Sequence, residues 1–162
     1  MTTKIIPRTK RWPGNNLGHL IDLIYRLYPG GVTLSELSKR TGMSVRNLSA
    51  ILCKDNTHLS TVEGIARSLG YVLHIDYYYA GEYPSDSTFN PSQCSGNLYG
   101  LEEYCQRLNR SVNYVAGVCG VKRDVVASAL AKGDIMVETL IMIATAIGLT
   151  LSWKYVKDTQ NE

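Results

Sequence analysis

Apolar residues recur at helical spacing at Leu17, Leu20, Ile21, Ile24 and Leu27, and the pattern stops at Pro29-Gly30-Gly31. Thr33-Leu34-Ser35-Glu36 has the form of a capping box, opening a second helix that ends at Gly42. Ser44 starts a third, with Leu48 and Ile51 inward, and Lys54-Asp55-Asn56-Thr57 reads as a polar loop. Ser60-Thr61-Val62-Glu63 reads as another capping box, for a fourth helix with an inner face of Val62, Ile65, Ala66 and Leu69, closed by Gly70. The period then drops to two. Tyr71, Leu73, Ile75 and Tyr77 alternate with Val72, His74 and Asp76, as a half-buried strand does.

The same course is run twice. Residues 20–77, moved by 78 positions, fall on residues 98–155 without a gap. Leu20, Leu23, Gly42, Leu52, Lys54, Thr61, Ile65, Ala66, Gly70, Leu73 and Tyr77 then meet identical residues, against about three or four expected from background composition. Elsewhere apolar meets apolar, as at Leu37/Val115, Met43/Val121, Leu48/Val126, Val62/Leu140 and Leu69/Ile147. The second strand alternates Leu149, Leu151, Trp153 and Tyr155 with Thr150, Ser152 and Lys154. An internal repeat of this kind decides the domain organisation. The expected parts are an arm (1–16), a first unit (17–79), a Pro/Gly/Ser-rich linker (80–97), a second unit (98–157) and an acidic tail (158–162).

The net charge of +3 is unevenly spread. The arm holds Lys4, Arg8, Lys10 and Arg11 and no acid, while the units carry +1 and +2 and the linker and tail −2 each. Four cations in eight residues suit a contact with phosphate, and the alternative is a merely soluble, disordered terminus. Cys53, Cys94, Cys105 and Cys119 have no metal-ligand spacing, so no zinc or other cofactor is expected. Cys105 and Cys119 fall at helix-interior positions and read as small buried apolar residues. There is no signal peptide and no long apolar run, which points to a reduced, cytoplasmic protein without a membrane segment. No Ser/His/Asp or Cys/His arrangement can be picked out around the three histidines, so no enzyme is expected.

The second and third helices carry the sharpest signal. Counting from Leu34, apolar Leu37, Met43, Leu48 and Ile51 stand fourth, tenth, fifteenth and eighteenth, with small Ser38 fifth and Gly42 ninth. Two helices joined by a tight turn need apolar wedges at those places, a small residue where they approach and a glycine where the chain turns with positive φ. Val115, Ala116, Gly120, Val121, Val126 and Ala129 fill the same slots in the second copy.

On these residues each copy resembles the XRE family, the Cro and phage-repressor type of helix-turn-helix. The likeness runs from Thr33 to Ser44 and Leu59 to Gly70, and from Lys132 to Gly148 in the second copy, and covers roughly 120 residues once both units are counted. It implies a mainly α fold of two tandem lambda-repressor-like units, each four helices plus a C-terminal strand. It also implies that the third helix reads bases in the major groove of double-stranded DNA. Carried across, the readers are Ser44, Val45, Arg46, Asn47 and Ala50, and then Lys122, Arg123, Asp124 and Ser128. Arginines suit guanine, Asn47 adenine and Val45 a thymine methyl. Thr33 and Ser111 at helix starts, and Lys54, Asn56 and Lys132 after the readers, are the implied phosphate contacts.

Two departures stand out. Leu34 and Val112 sit where the family often has a polar residue, and Val125-Val126-Ala127 makes the second reader poor in polar groups. The expected function is a sequence-specific transcriptional regulator, most simply a repressor. The alternative is an antitoxin-like or inhibitor protein whose second unit grips a protein partner. Cro-like strands normally pair between two chains, with readers one DNA turn, about 34 Å, apart. Here the two strands can pair antiparallel within one chain, giving a pseudo-dimer with two different heads. A homodimer beyond that stays open.

Overall fold

The computed structural model describes residues 15–79 and 97–159. Lys4, Arg8, Lys10 and Arg11, the linker up to residue 96 and the end of the tail lie outside the described residues. Among the described residues the chain is mainly helical. The elements are α1 (Gly18–Leu27), α2 (Leu34–Thr41), α3 (Val45–Lys54), α4 (Leu59–Ser68), β1 (Tyr71–Tyr79), α5 (Asn97–Arg107), α6 (Val112–Cys119), α7 (Arg123–Lys132), α8 (Val137–Ala146) and β2 (Leu149–Lys157). From α2 onward each element of the second copy starts and ends 78 residues after its counterpart in the first. The strands β1 and β2 pair with each other in one antiparallel sheet within the chain.

The chain divides into two compact units, and the division crosses both strands. The first contains the described residues up to Leu73 and those from Lys154 on; the second runs from His74 to Trp153. Each unit therefore takes the beginning of one strand and the end of the other. In the first unit, Asp158 N–H donates to the Gly70 carbonyl (2.9 Å) where the end of β2 meets the start of β1.

The core of the first unit is the apolar stripe anticipated for its four helices. Leu20, Leu23, Ile24, Leu37, Leu48, Leu52, Leu59, Val62, Ile65 and Ala66 are all buried. Tyr155 of β2 joins them: its hydroxyl lies 2.6 Å from His19 Nδ1 and its ring stacks on the imidazole at 5.8 Å. Burial pushes the His19 pKa down to about 4, against the upward pull of a backbone hydrogen bond with Asn16 and the charge of Asp55.

Residues 54–57 are not the solvated loop expected. Asp55 and Thr57 are buried, and Asp55 stands in the left-handed region (φ 55°). Its carboxylate accepts from Asn16 N–H (2.8 Å) and Leu17 N–H (2.9 Å), tying the exit of α3 to the entry of α1. Those two donors have no helical acceptor of their own, and a buried N–H must be paired. The expected cap at Ser60 is also displaced. Leu59 is fully buried and draws the helix start upstream, so His58 occupies the N-cap without a side-chain cap bond.

The second unit departs from its counterpart at the first helix. Leu98, Tyr99 and Gly100 are left-handed (φ 56°, 59° and 90°), and the right-handed helix begins only after them. Left-handed geometry costs a non-glycine residue about 1–2 kcal/mol. The turn is held by β1: Tyr77 donates its hydroxyl to the Leu98 carbonyl (2.7 Å), and Tyr104 donates its own to the Tyr77 carbonyl (2.9 Å). The two rings meet edge to face at 5.6 Å, and Leu98 and Tyr104 are buried. Tyr77 and Tyr155 are equivalent in the repeat, yet each packs in the unit formed mainly by the other copy.

The second unit also reverses the polarity of the helix tie. Position 133 is a left-handed glycine and carries no carboxylate. Instead Asn97 at the start of α5 donates through Nδ2 to the Leu130 (2.6 Å) and Ala131 (3.1 Å) carbonyls at the end of α7. A Cβ at Gly133 would stand 3.1 Å from Asn97 Oδ1, so that approach favours glycine twice over.

Candidate nucleic-acid interface

The start of α3 is presented by a short, well-bonded turn. Thr33 caps α2, its hydroxyl accepting from Glu36 N–H (3.1 Å). Gly42 closes α2 in the left-handed region (φ 76°) and donates its N–H to the Ser38 carbonyl (2.9 Å). Ser38 then donates its hydroxyl to the Met43 carbonyl, and Thr41 Oγ1 accepts from Met43 N–H (3.2 Å). Ser44 caps α3 by accepting from Asn47 N–H (3.1 Å).

With Leu48 and Leu52 buried, the rotation of α3 is set, and Ser44, Val45, Arg46, Asn47 and Ala50 are all exposed. The candidate readers of the first unit thus share an accessible helix start. Ser44 is there mainly as a cap, because its hydroxyl is already engaged. Lys54 is exposed in the last turn of α3, whereas Asn56 and Thr33 are half-buried.

Two further exposed cations, which the spacing did not single out, lie on α2 of the same unit. Lys39 and Arg40 occupy the last turn of α2 and are exposed, and Arg40 Nε donates to the Ser68 carbonyl (3.2 Å). Their signal was present in the pattern, as the polar positions between the buried Leu37 and Gly42.

In the second unit the turn is again built on a left-handed glycine, Gly120 (φ 70°), and Ser111 caps α6 by accepting from Tyr114 N–H (3.1 Å). Lys122, Arg123, Asp124, Ser128 and Lys132 are exposed on or beside α7. Lys122 is the N-cap without a side-chain cap bond, and Asp124 lies in the first turn, where a carboxylate suits the positive end of the helix.

The helix before it is different in kind. Where α2 exposes Glu36, Lys39 and Arg40, α6 exposes Asn113, Tyr114, Gly117 and Val118, and its eight residues carry no charge. Tyr114 is 45% and Val118 53% exposed, and Val125 and Met142 add to the uncovered apolar surface of this unit. The Arg110 guanidinium lies over the Tyr114 ring at 5.1 Å.

The cysteines divide by burial. Cys105 is buried as anticipated and its thiol is pushed up to about 11 by burial, with the Glu102 charge adding to the shift. Cys119 is only half-buried, its pKa raised by burial, while Cys53 is exposed. Among the described residues no group of three or more His, Cys, Asp and Glu could hold a metal ion, and no helix is long and apolar enough to cross a membrane. Comparison of the chain with family models, with curated proteins and with solved structures finds no match.

Proposed function

We propose that the chain is a sequence-specific double-stranded-DNA-binding transcriptional regulator, most simply a repressor, made of two tandem helix-turn-helix units of the Cro and phage-repressor type. The observation that carries this reading is the start of α3. A glycine turn and a serine cap hold Val45, Arg46, Asn47 and Ala50 exposed together, in a unit whose α2 and α3 also expose the cations Lys39, Arg40 and Lys54. In this reading Arg46 and Asn47 contact base edges, and Thr33, Lys54 and Asn56 lie towards phosphate. Arg123 and Ser128 serve a second, weaker half-site, with Ser111 and Lys132 towards its phosphates. The pairing of β1 with β2 in one chain supports a pseudo-dimer, which suits adjacent half-sites of unlike sequence.

Salt-dependent titrations of Arg46→Ala and Lys54→Ala on cognate and scrambled duplexes test the reading. Arg46→Ala is expected to cost about 1–3 kcal/mol on the cognate site alone. Lys54→Ala should weaken both duplexes alike and make the salt slope shallower by about one unit. Equal losses on both duplexes from Arg46→Ala remove the base-reading role.

A second reading is favoured by one observation, the exposed apolar side chains Tyr114 and Val118 on the charge-free helix α6. It assigns the second unit to a protein partner, as in an antitoxin-like or inhibitor protein, while the first unit still contacts DNA. Unimpaired DNA affinity in an Arg123→Ala/Lys132→Ala variant favours it.

A further inference from the structure

A cleft of about 540 Å³ opens in the second unit between α5, the start of α6 and the C-terminal half of α7. That volume lies within the range of small-molecule sites. Cys105, Val112, Ala127 and Ala131 are among its apolar lining residues, and Glu102 and Arg110 among its charged ones.

The first repeat supplies a built-in control. By the 78-residue offset, Arg110 and Val112 at the entry to α6 correspond to Val32 and Leu34 at the entry to α2. Val32 and Leu34 are buried in the first unit's core. A buried aliphatic residue has thus become a guanidinium, and a leucine has become smaller. A repeat that merely drifted would exchange apolar for apolar, as it does at Leu37/Val115 and Leu48/Val126.

The two charges are held apart from each other. α5 ends in a turn with Asn109 left-handed (φ 55°) and Arg110 N–H donating back to the Cys105 carbonyl (2.8 Å), which fixes where Arg110 leaves the backbone. Its guanidinium rests on Tyr114, and Nε is buried with no hydrogen-bond partner among the described residues. No ion pair joins Arg110 to Glu102 among the described residues. A guanidinium short of acceptors, a separate carboxylate and an apolar lining together match a compact molecule that carries both charges on an apolar body.

The geometry points to a binding site in this cleft for a free apolar amino acid, its carboxylate on Arg110, its ammonium on Glu102 and its side chain over Cys105, Val112 and Ala127. The site is independent of DNA, so its test is made without DNA and stands whether or not the proposed function holds.

Calorimetric titration of the full chain with L-phenylalanine, 3-phenylpropanoate and 2-phenylethylamine reads each charge separately. L-Phenylalanine is expected to bind, and each analogue to bind at least about tenfold more weakly for the loss of one charged hydrogen bond. Arg110→Gln should weaken phenylalanine by a similar factor and leave 2-phenylethylamine unchanged. Cys105→Leu/Val112→Leu fills the cleft with larger apolar side chains and should abolish binding while the melting temperature holds or rises. No heat with phenylalanine up to about 10 mM overturns the site. So does an analogue that matches phenylalanine, or a folded double leucine variant that still binds.

Discussion

α2 and α6 occupy the same place in their repeats, are both capped by a hydroxyl residue and both end on a left-handed glycine. Their outward faces have nothing in common. α2 shows Glu36, Lys39 and Arg40 to solvent, and α6 shows Asn113, Tyr114, Gly117 and Val118, none of them charged. The inward positions of these helices and of α3 and α7 hold to one pattern, with Leu37 and Leu48 matched by Val115 and Val126, all buried. Across these paired helices packing keeps the buried positions apolar. The surfaces have been free to diverge. That contrast separates what the repeat says about fold from what it says about function: a shared fold does not carry a shared site.

The largest expected effect concerns the opposed helix ties. Asp55→Ala leaves the Asn16 and Leu17 N–H groups without their acceptor, and should cost about 3 kcal/mol in urea unfolding. Asn97→Ala removes a neutral amide from the end of α7 and should cost about 1 kcal/mol. Equal costs would mean that the two ties do the same work despite their reversed polarity.

A pH series sharpens the comparison at His19, whose counterpart Asn97 does not titrate. Folded His19 has a pKa of about 4, below its ordinary value of 6.5. The unfolded chain therefore binds the extra proton first as pH falls. Its contribution is complete above about pH 6.5, shrinks towards pH 4 and does not change further below. The loss across that window is on the order of 3 kcal/mol. His19→Asn should lack this part of the pH dependence; unfolding curves that run parallel for both chains would contradict it.

A smaller effect is expected at the two arginines. On a cognate duplex Arg123→Ala should cost less than Arg46→Ala, about 1 kcal/mol or below. A reversal, measured by anisotropy titration, would make the second unit the principal reader.

Much of this architecture was legible in the chain. The switch of period at Gly70, the glycines at 42 and 120 and the 78-residue offset placed α2, α3, α4, α6, α7, α8 and both strands, although α3 buries Leu52 where Ile51 was expected and Ile51 is half-buried. The misreadings share one cause, which is tertiary contact overriding local pattern. Leu98 and Tyr99 lie in a stretch that aligns with a helix, but the Tyr77 hydroxyl on the Leu98 carbonyl holds them left-handed. Asp55 looks like a surface loop residue until the donors at Asn16 and Leu17 are known. Ser60 lost the cap to His58 because Leu59 is buried. At the candidate interface Leu48 was read correctly as inward, while Leu52 takes the buried place expected of Ile51. The charge-free face of α6 became informative only against α2.

Selection of bound duplexes from a random library by the purified full chain tests the central proposal most directly, that two unlike surfaces on one repeated backbone meet DNA unequally. The expected result is an enriched motif whose halves differ in sequence and in information, with the stronger half losing its preference at one position in Arg46→Ala. A true palindrome, or no enrichment above the starting library, would contradict it.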